Sequence, residues 1–593
     1  MPINLASPGI VVKEVDLTVG RVDPTSGSVG GLVGPFTQGP VELPTLITSE
    51  QDLLNTFGKP NSIDKQYETW LVASSFLAYG GSLRVVRADD DNLYNGAVNT
   101  VGVSTTGSEL KIKNDEHYEQ LGYDDNTITN VTVAARNPGS WSNGVRIGLI
   151  DGKSDQCLGI STLPSSVTAG ATTGHNWVGY GITQTFTGIV PGVGTTSEPG
   201  GYLKGIITGV STVGKRAGVS TFPGDINIIE GTIEVKVLSL VSAGGTETLL
   251  DYQPNGLYKF SNEVGINTLG NITAGVYITN NEGTVVASGA TIDGVEDYFD
   301  KQLLYTGSGV PGTANTISSV KWNSIVERPT TTDFATARGA KNDEVHIVVI
   351  DGEGEITGNA GTILEKHFGL SKAKDGEFSS GSPSYWRKYL KNNSSYIFGG
   401  GAPDGISTTG FSADFTKQSD QAWDQNADGI IFGGSGTKNY KIINGEDYSE
   451  NRNDDGTVGI LTSGGLTASV AKLATGYKLF ENADNYAVNF LLMGSGNYTK
   501  EETQSLANQV IAVADIRKDA LAFISPYRGA YLNDTDVGSV TVNDDETITN
   551  NVLNFYAPLS SSSYAVFDSG YKYMFDRFDN AFRYVPLLSL IHI

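Results

Sequence analysis

The stretch from Ile47 to Ala88 constrains this chain most, because it is the only block in the first hundred residues dense enough in apolar side chains to start a core. Thr48 or Ser49 can cap a short helix, with Gln51 or Asp52 placed to complete a capping box. Leu53, Leu54 and Phe57 give that helix an apolar side, and Gly58 followed by Pro60 stops it. A second helix is predicted from near Asp64, with Tyr67, Trp70, Leu71, Ser74 and Leu77 at helical spacing. Gly80-Gly81 ends it, and Leu83 to Arg87 reads as a buried strand carrying charge at intervals. The unit carries no catalytic constellation.

At 593 residues the chain has room for roughly three to five domains with proper cores. Lys plus Arg number 40 against 65 Asp plus Glu, a net charge of −25, which argues against nucleic acid as a main partner because phosphate binding needs a basic footprint. The single cysteine, Cys157, excludes an intrachain disulfide. Met1 to Gly9 lacks the basic and apolar regions of a secretory signal, and no apolar run approaches transmembrane length. A soluble product made in a cytoplasm, without direct membrane insertion, is expected. With 74 glycines and abundant Thr and Ser, much of it should be β-structure and turns.

Residues 1–26 hold one strand-like run, Ile10 to Leu17, whose backbone needs a partner edge. The residues leave open whether that edge is its own domain's or a neighbour's. After Asp89-Asp90-Asp91, short strands are predicted at Leu110 to Ile112 and Ile128 to Ala134, then a turn-rich link and a strand from Val145 to Asp151. From 153 to 326 the texture turns to Gly, Thr, Ser and Val. Glu234 to Leu238 alternates as a half-buried strand and Val276 to Val286 reads as a hairpin, which predicts a β-sandwich or barrel. An α/β texture returns after Asp333, with a strand at Glu344 to Asp351 and a helix at Tyr385 to Leu390. A βαβ unit is predicted from a strand at Tyr486 to Met493, a helix at Thr499 to Ala514 and a strand at Ala520 to Ser525.

Candidate chemistry is sparse. Gly494-Ser495-Gly496 imitates a dinucleotide fingerprint, but Thr499 stands where the third glycine belongs, so a tight strand-to-helix turn is expected. Gly352, Gly354 and Gly358 have the wrong spacing for a phosphate loop. Asp424, Asn426, Asp428 and Gly429 mimic the first half of a calcium loop, yet Ser435 occupies the position of the bidentate glutamate, so an Asx-rich turn is the expectation and no metal site is assigned. None of His117, His175, His346, His367 and His592 pairs with another, or with Cys157, at metal-ligand spacing. Acidic pairs such as Asp124-Asp125 and Asp454-Asp455 read as solvated loop charge. Two distant carboxylates could serve a hydrolase, but nothing supports one. No catalytic residue and no cofactor are expected.

Several motifs occur in a fixed order: Asp52, Leu53, Asn55, Thr56, Phe57, Gly58 and Pro60; Phe76, Leu77, Tyr79 and Gly80; then Leu83 to Ala88. Ser7 to Ile10 and Gly34-Pro35-Phe36 to Gly39-Pro40 precede or lie among them, and Gly459 to Leu466, Ala514 to Asp519, Tyr571-Lys572-Tyr573 and Arg583 to Leu587 follow. In these stretches the chain resembles the tail sheath proteins of contractile-tailed, T-even-like bacteriophages; the middle, 153–326, carries no comparable match. The resemblance implies a non-enzymatic structural protein of the virion, assembled in the host cytoplasm. Its copies form hexameric rings stacked helically around a tail tube, contacting the tube protein and the baseplate and tail terminator proteins, and contract to drive the tube through the host envelope for genome ejection.

The implied fold class is α+β multidomain: nested α/β body domains with an inserted β-sandwich/barrel domain and an extended N-terminal arm. The boundaries read 1–26 for the arm, 27–88 plus 455–587 for the sheath body domain, 89–152 plus 327–454 for a second body domain and 153–326 for the outward-facing insert. The arm residues Ile10, Val11, Val12, Val15 and Leu17 are expected to pair with a neighbouring subunit. Family members continue beyond the Arg583–Leu587 motif, so the chain reads as truncated and unable by itself to build a sheath. Residues 588–593 match the translation of a transposon-adapter end and read as a non-native tail. A β-rich phage or cell-surface adhesin binding glycans is the alternative that the Gly/Thr/Ser content and acidity would also fit.

Overall fold

The two ends of the chain build one sheet. In the computed structural model the described residues are 28–587 without 100–108, 161–177, 188–200, 212–231, 243, 256–257, 263–264, 268–269, 281–284, 308–317, 407–409, 412–416, 420–422, 454, 460–463, 537–538 and 569. Six strands lie in the order Thr45–Ile47, Ser82–Arg87, Val29–Gly34, Phe490–Leu492, Leu521–Ile524, Ala565–Phe567. All neighbours are parallel except the first pair, which is antiparallel. Both faces are covered, as parallel strands require. Leu32 packs among the helices Glu50–Phe57 and Tyr67–Leu77. Val33 meets the layer of Val470–Lys478 and Lys500–Arg517.

The local signals act largely as predicted. The Ser49 hydroxyl accepts the Asp52 amide at 3.1 Å, and Gly58, at φ +81°, ends the helix where a side chain would be strained. The second helix starts at Tyr67, later than expected. Asp64 stands outside it at φ +50°, and its carboxylate accepts the amides of Arg452 at 2.8 Å and Leu466 at 2.6 Å. That helix is also buried beyond its apolar stripe. Glu68 is fully buried and accepts from Arg528 Nη1 at 2.6 Å and from the Ser495 hydroxyl at 2.6 Å. The βαβ unit forms: Phe490 pairs with Leu521 in parallel register, and Thr499 and Glu502 make a capping box at the start of the connecting helix.

Between these halves, Val145–Asp151 lies between Glu344–Asp351 and Lys438–Lys441 in a four-stranded sheet edged by Thr362–Ser371. Every pairing in it is antiparallel, so among the described strands parallel pairing is confined to the first sheet. The helix Trp386–Asn393 inserts Trp386 and Leu390 into its core. The strand predicted at Leu110 to Ile112 does not form. The Asn95 side chain takes the place of a ladder there, donating to the Ile112 carbonyl at 3.1 Å and accepting its amide at 2.6 Å. A side-chain amide satisfies the backbone as a strand would.

The β-rich middle is a barrel, not a sandwich. Gln156–Ile160, Val285–Asp297, Gly270–Thr279, Gly181–Thr187, Gly201–Ser211 and Thr232–Val241 pair in a ring that closes on Gln156–Ile160. Each pairing is antiparallel, and Leu158, Ile182, Leu203, Ile233, Val235 and Ile278 fill the core with Phe260. Closure removes the edges that an open sheet leaves for unwanted pairing.

Removing one partner of the Glu68–Arg528 pair leaves a buried charge uncompensated. Arg528→Met is expected to cost about 3–5 kcal/mol, read as a lower urea midpoint at unchanged slope, with the Glu68→Gln, Arg528→Met double variant costing less.

Candidate assembly surface

The last described residues form a hairpin, Tyr571–Asp576 with Ala581–Pro586, in which Tyr573 pairs with Tyr584 and Phe575 with Phe582. Strand alternation gives it two unlike faces. One face is fixed to the body. Val585 enters the core of the 67–77 helix, and Lys572 Nζ donates to the Ser75 hydroxyl at 2.8 Å. The Arg583 guanidinium lies 4.4 Å from the centre of the Tyr67 ring.

The other face is aromatic and open. Tyr573, Phe575 and Phe582 are 60%, 47% and 59% exposed. Tyr573 stacks on Phe582 at 5.2 Å between ring centres, and Phe575 lies 5.2 Å from the same ring. Half of the exposed large apolar side chains among the described residues fall beyond residue 515, including Leu553 on the helix Asp545–Tyr556 and Phe567 on the edge strand. The charges beside the rings are paired. Asp576 and Asp579 both meet Arg583, and Arg577 meets Glu50 at 2.7 Å. A neutral aromatic patch on a chain of net charge −25 is the kind of surface that protein contacts use.

Two edges of the six-stranded sheet end on single neighbours among the described strands, 45–47 and 565–567. The second carries exposed Val566 and Phe567 and is open to strand addition. The arm residues Ile10, Val11, Val12, Val15 and Leu17 lie outside the described residues, as do 588–593.

The other candidates resolve into structural roles. Asp424 turns its carboxylate to the Tyr385 hydroxyl and to Trp386 Nε1, while Asn426 and Asp428 are exposed. Burial raises the Asp424 carboxyl above its ordinary range, the reverse of what a cation site needs. Gly494, at φ +82°, opens a turn whose following helix start is already filled by the Glu502 carboxylate, itself held by Arg452 at 2.7 Å. His346 accepts the Gly369 amide at 3.0 Å and sits 3.1 Å from the Glu327 carbonyl. His367 meets Glu365 at 3.0 Å, and His117 accepts the Lys113 amide at 3.2 Å. Among the described residues no three His, Cys, Asp or Glu side chains converge to hold a metal, and no helix is long and apolar enough to cross a membrane. The aromatic face was legible only as the alternation Tyr571, Tyr573, Phe575 and the pair Phe582, Tyr584, which periodicity could have flagged.

Fold and surface together describe a multidomain α+β building block whose prominent feature is exposed apolar surface. No protein-family profile matches the chain. It is 38% identical over 111 residues to the tail sheath protein of Vibrio phage KVP40, covering 17% of this chain and 16% of that protein. It is 26% identical over 264 residues to that of Enterobacteria phage T4, 43% of this chain and 39% of the other. With that of Salmonella phage ViI it shares 31% over 146 residues, 24% and 21% respectively. The matches span at most 39% of these relatives' lengths. By these segments the chain is a homologue of phage tail sheath proteins.

Burial holds the His346 imidazole below its ordinary 6.5. Between the two values the unfolded chain binds the proton and the folded one does not, so stability falls as pH drops from about 6.5. His346→Gln is expected to remove that part of the slope in urea melts taken at successive pH values.

Proposed function

We propose that this chain is a structural subunit of a contractile phage tail sheath, located in the virion and assembled in the host cytoplasm. Its copies stack as hexameric rings around the tail tube and contract to drive the tube through the host envelope. It works by changing contacts between copies, without catalysis or cofactor. The observation that carries this reading is the similarity to three curated tail sheath proteins in separate phages. Its partners are other copies of itself, the tube protein, and the baseplate and terminator proteins.

Within this reading 27–88 with 455–587 form the sheath body, 89–152 with 327–454 a second body domain and 153–326 the outward insert. The arm 1–26 ties neighbouring subunits through Ile10, Val11, Val12, Val15 and Leu17. The open aromatic face and the free 565–567 edge support the placing of contacts on the body.

Immunogold electron microscopy of the source virions with antibody raised against this chain tests the proposal. Label distributed along the tail cylinder is expected, moving with it when the tail shortens. Label confined to fibres or to the capsid would overturn it and favour an adhesin.

A further inference from the structure

The chain leaves the six-stranded sheet, here the body sheet, along residues 88–97 and returns along 443–449. A pair of single crossings could be a hinge, but these two are joined to each other. Tyr94 and Glu446 exchange both amide–carbonyl bonds at 3.2 and 3.1 Å, and Ala97 and Ile443 do so at 2.8 and 3.3 Å. The Asp90 carboxylate on the outgoing crossing accepts both the amide and the hydroxyl of Ser449 on the returning one, each at 3.0 Å. Tyr448 donates its hydroxyl to the Ala88 carbonyl at 2.9 Å.

At the base of the junction sits Arg87, the last residue of its strand and fully buried. Its Nη1 donates to the Gly39 carbonyl at 3.0 Å and to the Pro138 carbonyl at 2.7 Å, and Nη2 to the Thr37 carbonyl at 3.3 Å. The Tyr448 ring lies 5.8 Å from the guanidinium carbon. Thr37 and Gly39 belong to the body side of the junction, and Pro138 to the far side. Gly139 allows this approach: it adopts φ +128°, and a Cβ there would stand 2.8 Å from the Thr37 carbonyl and 3.2 Å from Arg87 Nη2. Among the described residues the Arg87 Nε has no hydrogen-bond partner. A buried cation held by three carbonyls and the Tyr448 side chain depends on all of them. Parting the two sides removes the shortest of these bonds and leaves the charge less compensated in the same buried place.

We propose that Arg87 is a clamp that welds the 89–447 segment to the body sheet, so that the paired crossings open only when the body itself unfolds. The inference rests on these contacts and not on the sheath reading.

Native-state hydrogen exchange on the full chain tests it. In the wild type the amides of Tyr94, Ala97, Ile443 and Glu446 are expected to exchange as slowly as those of Val85 and Leu491 in the body sheet. In Arg87→Met they should exchange about ten- to a hundredfold faster, with Val85 and Leu491 unchanged. Arg87→Lys should fall between, since one ammonium cannot reach three carbonyls in the same geometry. Faster exchange at the crossings than in the body sheet of the wild type would identify a hinge and overturn the proposal, whether or not the variants fold. Unchanged crossing protection in a folded Arg87→Met would overturn it as well.

Discussion

The body sheet depends on burying the Glu68 carboxylate against the Arg528 guanidinium, at 2.6 Å and with both side chains almost wholly removed from water. The two residues lie 460 positions apart. The strands they bring together are short, with only three residues of Val29–Gly34 in register with Phe490–Leu492. Such a ladder has little to fix its own register. A buried ion pair adds little net stability over an apolar pair of the same shape, but it penalises every arrangement that leaves either charge alone. Ser495 completes the satisfaction of Glu68, and the Asn489 side chain accepts the Val29 amide at 3.1 Å. The loop between the sheet's halves is closed by polar specificity laid over apolar burial, at the entropic cost that a long closure carries.

Much of the fold was legible because it rests on local chemistry. Ser49, Gly58 and Thr499 act as caps through their own side chains or backbone freedom, and period-two alternation marked the strand around Glu234 to Leu238. What was not legible depends on partners far along the chain. Asp64 looked like a helix start and instead receives amides from Arg452 and Leu466. Leu110 to Ile112 had strand composition, but Asn95 took its hydrogen bonds. Alternation alone cannot separate a sandwich from a closed barrel, since both bury one face of each strand. Closure is decided by the pairing of Thr232–Val241 with both Gly201–Ser211 and Gln156–Ile160. At the calcium-like spacing, read as an Asx-rich turn, the Asp424 carboxylate accepts from Tyr385 and Trp386, partners the spacing alone does not reveal.

Charge and apolar surface act over different ranges on this chain. A net charge of −25 makes copies repel at a distance, but at physiological salt that repulsion fades beyond about 8 Å. The aromatic face works only at contact, where Asp576, Asp579 and Glu50 are already matched by Arg583 and Arg577. Long-range repulsion and short-range apolar contact can therefore coexist on one surface.

Edge protection is uneven in the same sense. Among the described residues the six ring strands of the barrel close on one another, with only the short strands Glu247–Leu249 and Gly265–Asn267 added outside the ring. The body sheet ends on 565–567, which bears Val566 and Phe567 in the open, and beside it in sequence stands the aromatic hairpin. A chain that needed only to remain soluble would blunt that edge with lysine, proline or a bulge. The Tyr564 carbonyl pairs inward with Ala522 and the Asp568 amide with Ile524, and both exposed side chains between them are apolar. Among the described residues the barrel therefore offers a closed ladder, and the six-stranded sheet an apolar edge to which a further strand could be added.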